Sequence, residues 1–288
     1  MACILCGNEK LKKVFAPALA SGGILCRCRS CGLLQMSPMP TDEEITAYYQ
    51  EYDVLGVHDP YYREAWESEI GDTPEAREAK NRLRFIGSCL FTGAHLLDVG
   101  SGPGLFMRLA NEAGLASEGV ELNTEAATQS AKYFGLNVKA GSIDAANGEY
   151  DALALWDVLE HVNDPVGFIK KCATHTKTNG WIFIETPNEA ALLDRIVNIF
   201  CRIGIKSLAN TFYGMHHLVL FRPLTLNKLL EESGFIIEKI SFVSTDPARV
   251  FRNASFKDKI MRLGLGIIAL LATILGRQNK MLIAARKS

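Results

Sequence analysis

"LLDVGSGPGLF", residues 96–106, is an apolar run that ends on an acid, Asp98, and then on three alternating glycines, Gly100, Gly102 and Gly104. A strand that leaves through a turn without side chains lets the backbone approach a ligand closely. The spacing narrows which ligand. A dinucleotide fingerprint requires Gly-x-Gly-x-x-Gly, and position 105 is Leu. A P-loop requires Gly-Lys-Ser/Thr after its glycines, where this chain has Leu105-Phe106. No Lys or Arg follows the strand until Arg108, and Asp98 suits an amino or hydroxyl group better than a phosphate. The expected ligand is therefore free of phosphate at this loop. The plainer alternative is a tight strand-to-helix turn that holds nothing.

Outward from that turn, short apolar runs alternate with helical patterns. Strands are expected at "AHLLDVG", "SEGVELN", "NVKAG", "DALALWDV", "GWIFIETP", "FIIEKISFV" and "KMLIAARK", with helices such as "LFMRLANEAG" and "TEAATQSAKYFG" between them. This alternation predicts an α/β fold: a doubly wound, mostly parallel seven-stranded sheet with helices on both faces, whose ligand lies beyond the C-terminal strand ends. The second strand ends in "GVELN", placing Glu121 where an acid accepts ribose hydroxyls. After the third comes "GSIDAA", with Asp144 near where an adenine amino group would lie.

At 288 residues, 48% hydrophobic and 22% charged, the chain has the composition of a soluble globular protein. A net charge of −1 gives no general field for nucleic acid, which is an unlikely partner. The start, "MACILCGNEK", lacks the basic and apolar regions of a signal peptide, so a cytoplasmic location is expected. Three segments follow from the composition: a zinc-ribbon-like module at 1–40, a helical linker or lid at 41–92, and the main domain at 93–288. In the linker, Thr41 and Thr73 are helix N-cap candidates. Tyr48, Tyr49, Tyr52, Tyr61 and Tyr62 either form a lid over a sugar-like acceptor or pack helices.

The module rests on Cys3-x-x-Cys6 and Cys28-x-x-Cys31, each pair followed by glycine, a spacing close to that of a four-cysteine structural zinc site. Cys26 rivals Cys28 as the third ligand. Cys89, Cys172 and Cys201 stand in apolar surroundings as small core residues.

Taken together, "LLDVGSGPG", "GVELN", "YDALALWDVLEHVNDP", "GWIFIETPN" and "HHLVLFRPLTLNKLLEESGF" resemble the class I S-adenosylmethionine-dependent methyltransferases over about residues 94–240, in the subgroup of ubiquinone-pathway O-methyltransferases and polysaccharide-cluster enzymes. The resemblance implies that Gly100 and Gly102 contact the methionine part of the cofactor, with Asp98 nearby and Ser101 and Gly104 in the same loop. It places Glu121 and Leu122 at the ribose, Ser142, Ile143 and Asp144 at the adenine edge, and Trp156 in the pocket wall. Asp/Asn-Pro-Pro-Tyr and Pro-Cys are both absent after the fourth strand, which argues against amino groups of bases and against pyrimidine carbon as acceptors. Asp157-x-x-Glu160-His161 resembles a Glu-x-x-Glu-His that binds a divalent metal in related O-methyltransferases, with His216 or His217 downstream. Without metal, His161 or His217 is the candidate general base and Glu160 lines the pocket. Sugar C-methyltransferases carry a similar zinc module, so a carbohydrate or lipid-linked small-molecule acceptor is expected. Two other readings stay open. One is ribose 2′-O-methylation of RNA gripped by Lys10, Lys12, Lys13, Arg27 and Arg29; the other is a non-catalytic cofactor-binding scaffold.

Two apolar helices complete the pattern, "AALLDRIVNIFCRIGI" and "KDKIMRLGLGIIALLATILGRQNK". The second has basic flanks and an uncharged stretch too short to span a bilayer. Burial, on the sheet or in a dimer, is expected for it, because a helix should connect the last two strands. The alternative is an interfacial helix giving peripheral contact with anionic lipid.

Overall fold

The cysteine-rich start and the alternating segment fold into two sheets that share one core. The computed structural model describes residues 2–15, 23–51, 71, 73–202, 217–250 and 256–288. Near the N-terminus lie β1 (Leu11–Phe15), β2 (Ile24–Cys28) and β3 (Leu34–Ser37), then α1 (Asp42–Glu51) and α2 (Pro74–Ile86). The alternating segment gives β4 (His95–Val99), α3 (Leu105–Glu112), β5 (Ala116–Glu121), α4 (Thr124–Phe134), β6 (Val138–Ala140) and β7 (Tyr150–Trp156). It continues through α5 (Pro165–His175), β8 (Thr176–Pro187), α6 (Leu192–Arg202), β9 (Val219–Leu220), α7 (Pro223–Glu231) and β10 (Phe235–Val243). A short helix α8 (Pro247–Val250), α9 (Phe256–Ile274) and β11 (Lys280–Lys287) end the chain.

The seven-stranded sheet runs β10–β11–β8–β7–β4–β5–β6. From β8 to β6 every pairing is parallel, and β11 is antiparallel to both neighbours. The fold class read from the sequence holds. Strand order reverses between β4 and β7, so the glycine turn at the end of β4 opens at the topological switch point. β4 has side chains buried on both faces, as a central parallel strand must; Leu96, Leu97 and Val99 are all buried. Local signals place the helices as expected. Thr73 Oγ1 accepts from Ala76 N at 3.1 Å and Asp164 Oδ1 from Gly167 N at 3.0 Å, each just before a proline that opens its helix.

One sheet face packs Leu97, Val99, Leu153, Leu155 and Ile184 in the same cluster as Cys3, Leu5, Cys28, Leu33 and Met36 from the cysteine module. The other packs Leu96, Ala152, Ala154 and Phe183 against Phe85 and Ile86 of α2 and Leu105 and Leu109 of α3. β3 also pairs antiparallel with β9, so the small sheet includes a strand from well beyond residue 40. Cys172 is buried, as expected of a core cysteine, and Cys89 is half-buried.

The long apolar helix departs from expectation. α9 is not buried on the sheet: Leu263, Leu270 and Ile274 are 68%, 62% and 72% exposed. The reason is topological. β10 and β11 are antiparallel neighbours, so no crossover helix is needed between them. The sheet face carrying Leu282 and Ala284 is already occupied by α2 and α3. Among the described residues, no helix is long and apolar enough to cross a membrane.

Candidate active site

The turn after β4 holds Gly100, Gly102 and Gly104 at φ of 72°, 53° and 80°, a region that side-chain-bearing residues rarely adopt. A Cβ on Gly100 would lie 2.8 Å from Val158 Cγ2, so this backbone must stay bare. Gly104 differs from its neighbours. It precedes α3 and does not line the cavity; a Cβ there would meet Leu136 Cδ1 at 2.5 Å. Its requirement is close packing.

The cavity at this switch point has a volume of about 940 Å³, large enough for a cofactor and an acceptor together. Asp98, Gly100, Ser101, Gly102, Glu121, Leu122, Ser142, Ile143, Asp144 and Trp156 all line it. Asp98 is 1% exposed and its Oδ1 has no hydrogen-bond partner; Ser101 Oγ and Trp156 Nε1 are in the same condition. Burial pushes the Asp98 carboxyl up to about 7, with Glu121 adding to the rise and Arg82 opposing it. Glu121 is locked in place by two backbone donors, Gly102 N at 2.8 Å and Asn123 N at 2.9 Å. Burial raises its pKa too. Asp144 sits at the rim, where its hydrogen bond with Lys171 at 2.8 Å lowers its pKa.

In the same cavity, one tight turn over Leu159–His161 brings up Glu160 and His161, and the segment before β9 brings His217. One ligand atom from each of the three lies within 4.8 Å of the others. The His161 and His217 rings are 5.1 Å apart, and Glu160 Oε1 is 3.9 Å from His161 Nε2. Glu160 is 1% exposed; Thr186 Oγ1 donates to its Oε2 at 2.9 Å, while Oε1 has no hydrogen-bond partner. Burial, reinforced by Asp157, raises its pKa to about 8. Tyr49 of α1 stands edge-on to His161 at 6.4 Å. Tyr52, Tyr61, Tyr62 and His216 lie outside the described residues.

Asp157 does not join this group. At φ 57° its side chain turns to a different set of partners. It accepts from Arg82 Nη2 at 2.7 Å and from Lys280 Nζ at 2.9 Å. Arg82 also grips Glu185 through Nε at 3.1 Å and Nη2 at 2.8 Å, and Lys280 reaches Glu185 at 2.6 Å and Glu78 at 2.8 Å. Arg249 closes the network on Glu78. Three acids meet three cations in a partly buried wall of the cavity. Burial alone would raise the Asp157 pKa, but Lys280 and Arg82 bring it below the usual carboxylate range. A carboxylate engaged by two cations offers little to a metal ion. None of Arg82, Glu185 and Lys280 was legible as a site residue, because no local motif joins α2, β8 and β11.

A family model for a methyltransferase domain matches residues 72–240, more than half of the chain. The chain belongs to that family. It is a class I S-adenosylmethionine-dependent methyltransferase. It is 28% identical over 166 residues to the ubiquinone biosynthesis O-methyltransferase of Nitrosospira multiformis, covering 54% of this chain and 68% of that one. The Thiobacillus denitrificans protein of the same description is 28% identical over 183 residues, covering 59% and 78%. Among solved structures, magnesium protoporphyrin IX methyltransferase from Synechocystis, with bound SAH, superposes with a TM-score of 0.58 at 13% identity, over 86% of this chain and 100% of that one. A SAM-dependent methyltransferase from Archaeoglobus fulgidus gives 0.53 at 23%, over 79% and 98%. At such identities the structural likeness concerns the fold.

The methyltransferase carries its cysteine group against this domain. Cys3, Cys6, Cys28 and Cys31 each place a sulfur within 4.8 Å of the others, with Cys3–Cys31 at 3.5 Å and Cys6–Cys28 at 3.6 Å. Those separations suit four thiolates about 2.3 Å from one tetrahedral ion. Cys28, rather than Cys26, completes the group. Burial opposes ionisation of Cys28, but N–H groups of Cys31 and Ser30 aimed at its sulfur bring its pKa down to about 7. From the same strand Arg27 donates to Glu189, a buried carboxylate that Arg222 also grips. Arg27 is therefore engaged within the protein. Asn163 Nδ2 bonds Asp42 at 2.8 Å and Asn123 Nδ2 bonds the Tyr49 carbonyl at 3.2 Å, holding α1 across the cavity.

Proposed function

We propose that this methyltransferase transfers a methyl group from S-adenosylmethionine to a hydroxyl oxygen of a small carbohydrate or lipid-linked acceptor in the cytoplasm. The observation that carries the reading is the convergence of Glu160, His161 and His217 in the same cavity as the Asp98–glycine loop. In this reading Asp98 faces the cationic methionine amino group, Glu121 takes the ribose hydroxyls and Ser142–Asp144 border the adenine. The unpartnered Asp98 Oδ1 fits a ligand that brings its own donors. Little covalent assistance is needed for transfer from a sulfonium, so the protein's task is alignment of the acceptor and removal of its proton. His161 receives that proton, with Glu160, which Thr186 fixes, 3.9 Å away.

The donor set of Glu160, His161 and His217, one carboxylate and two imidazoles, also fits a divalent cation, and the bare Glu160 Oε1 is where an acid would meet one. Such an ion, when bound, would lower the pKa of an acceptor hydroxyl. His161→Ala should keep S-adenosylmethionine affinity, measured by calorimetry, and reduce turnover by about 100-fold or more. The assay is label transfer from the cofactor into fractionated cell extract, read by mass. Loss of cofactor binding in this variant would contradict the assignment of His161 to the acceptor.

The four-cysteine group is read as a structural zinc site, since four thiolates leave no open position for substrate. Elemental analysis should find about one zinc per chain. Cys28→Ser should lose it and Cys26→Ser should retain it. Retention by Cys28→Ser would remove the assignment.

A further inference from the structure

α9 is apolar on two faces. Leu265, Ile268, Ala269 and Ala272 line the cavity that holds His161 and His217. On the opposite side Ile260, Leu263, Ile267, Leu270 and Ile274 recur at intervals of three and four, so they form one continuous stripe. All five are more than half exposed, from 53% to 72%. Ile199 of the neighbouring α6 is 59% exposed. Exposed apolar surface on this scale marks a contact with something other than water.

Charge decides the occupant. From residue 259 to residue 280 the chain has no Asp or Glu, while Lys259 is exposed beside the apolar stretch and Arg262 and Arg277, half-buried, flank it. The whole chain carries a net charge of −1, so this is a local positive rim on a nearly neutral protein. A second copy docked helix to helix would bring one positive rim against another in either orientation. An anionic bilayer satisfies both features, apolar below and negatively charged at the headgroups.

We propose that the outward face of α9, continued by Ile199, docks the methyltransferase on an anionic lipid surface. A helix in this position sinks its apolar stripe roughly 5–10 Å into the headgroup boundary while the basic rim stays at headgroup level. Its inner face then forms the wall between the lipid and the cavity. This placement goes beyond the proposed chemistry and holds whichever acceptor atom is methylated.

The test is flotation of the intact protein with phosphatidylcholine vesicles, with and without phosphatidylglycerol. The wild type should float with the anionic vesicles, weakly with the neutral ones, and less at high salt. Ile267→Glu/Leu270→Glu should reduce flotation by at least about tenfold, and Lys259→Glu by about fivefold. Both variants should bind S-adenosylmethionine as the wild type does, which separates failure of this docking from failure of the cofactor reading. Two results overturn the proposal. One is a wild type that stays in solution with both vesicles. The other is a concentration-dependent dimer in sedimentation velocity that the Ile267→Glu/Leu270→Glu variant abolishes, because the stripe then belongs to a second copy.

Discussion

Replacing Asp98 with Ala is expected to weaken S-adenosylmethionine binding by about 100-fold, the loss of a buried charged hydrogen bond of roughly 1.5–3 kcal/mol. The carboxylate is 1% exposed, aimed into the cavity, and short of a partner on Oδ1. Its pH dependence gives a sharper check than the loss itself. Burial pushes Asp98 up to about 7 in the ligand-free protein, so much of it is protonated at pH 6. A cationic ligand selects the ionised form. Affinity should therefore rise about tenfold between pH 6 and pH 8, and Asp98→Asn should flatten that rise. The sign for stability is opposite. A folded-state pKa above the unfolded value means that the folded protein holds the proton more tightly, so the ligand-free protein loses this group's contribution as pH rises from about 4 towards 7. Cofactor should restore it. Calorimetry and thermal melts at the two pH values measure both effects, and a pH-independent affinity would remove Asp98 from the cationic end of the ligand.

The elements that were legible in the sequence are those with local causes. Thr73-Pro74 and Asp164-Pro165 open helices because a side-chain acceptor and a missing N–H satisfy the first turn within three residues. The central apolar runs give the sheet because parallel strands buried on both faces, such as β4 and β7, leave near-continuous apolar segments. The glycine turn is legible for a similar reason, although Gly104 shows the limit: spacing cannot tell a glycine that meets a ligand from one that meets Leu136. Glu160 and His161 share one turn and could be read as a pair, and His217 was a candidate on the strength of a motif. Asp157 belonged to the same motif but went elsewhere, because its partners Arg82 and Lys280 lie 75 and 123 residues away in the chain. The exposed stripe of α9 escaped for a related reason. An apolar helix reads as buried until the topology shows that no sheet face is left for it.

Lys280→Met should be the most destabilising single change in the cavity wall, at about 3–5 kcal/mol, because it strands acids that remain buried. Lys280 is 7% exposed and contacts Glu78, Asp157 and Glu185 at 2.8, 2.8 and 2.6 Å. Burial alone would lower its pKa, yet the three carboxylates reverse this and hold the proton more firmly than in water. Without the ammonium, Arg82 and Arg249 face three carboxylates at short range. The expected fall in melting temperature is roughly 10 °C for a chain of this size. Acid should narrow the difference. In the wild type the surrounding cations hold Glu78 and Asp157 below the usual carboxylate range, a contribution present above their unfolded pKa of about 4 and lost as pH falls through the lower folded values. In the variant those carboxyls rise and take up protons sooner, so protonation relieves the stranded charge. The stability gap should be full at pH 8 and visibly smaller at pH 5. A gap that stays constant over that interval would mean that Lys280 acts through packing of its aliphatic chain, and that the network does not set the electrostatics of the wall.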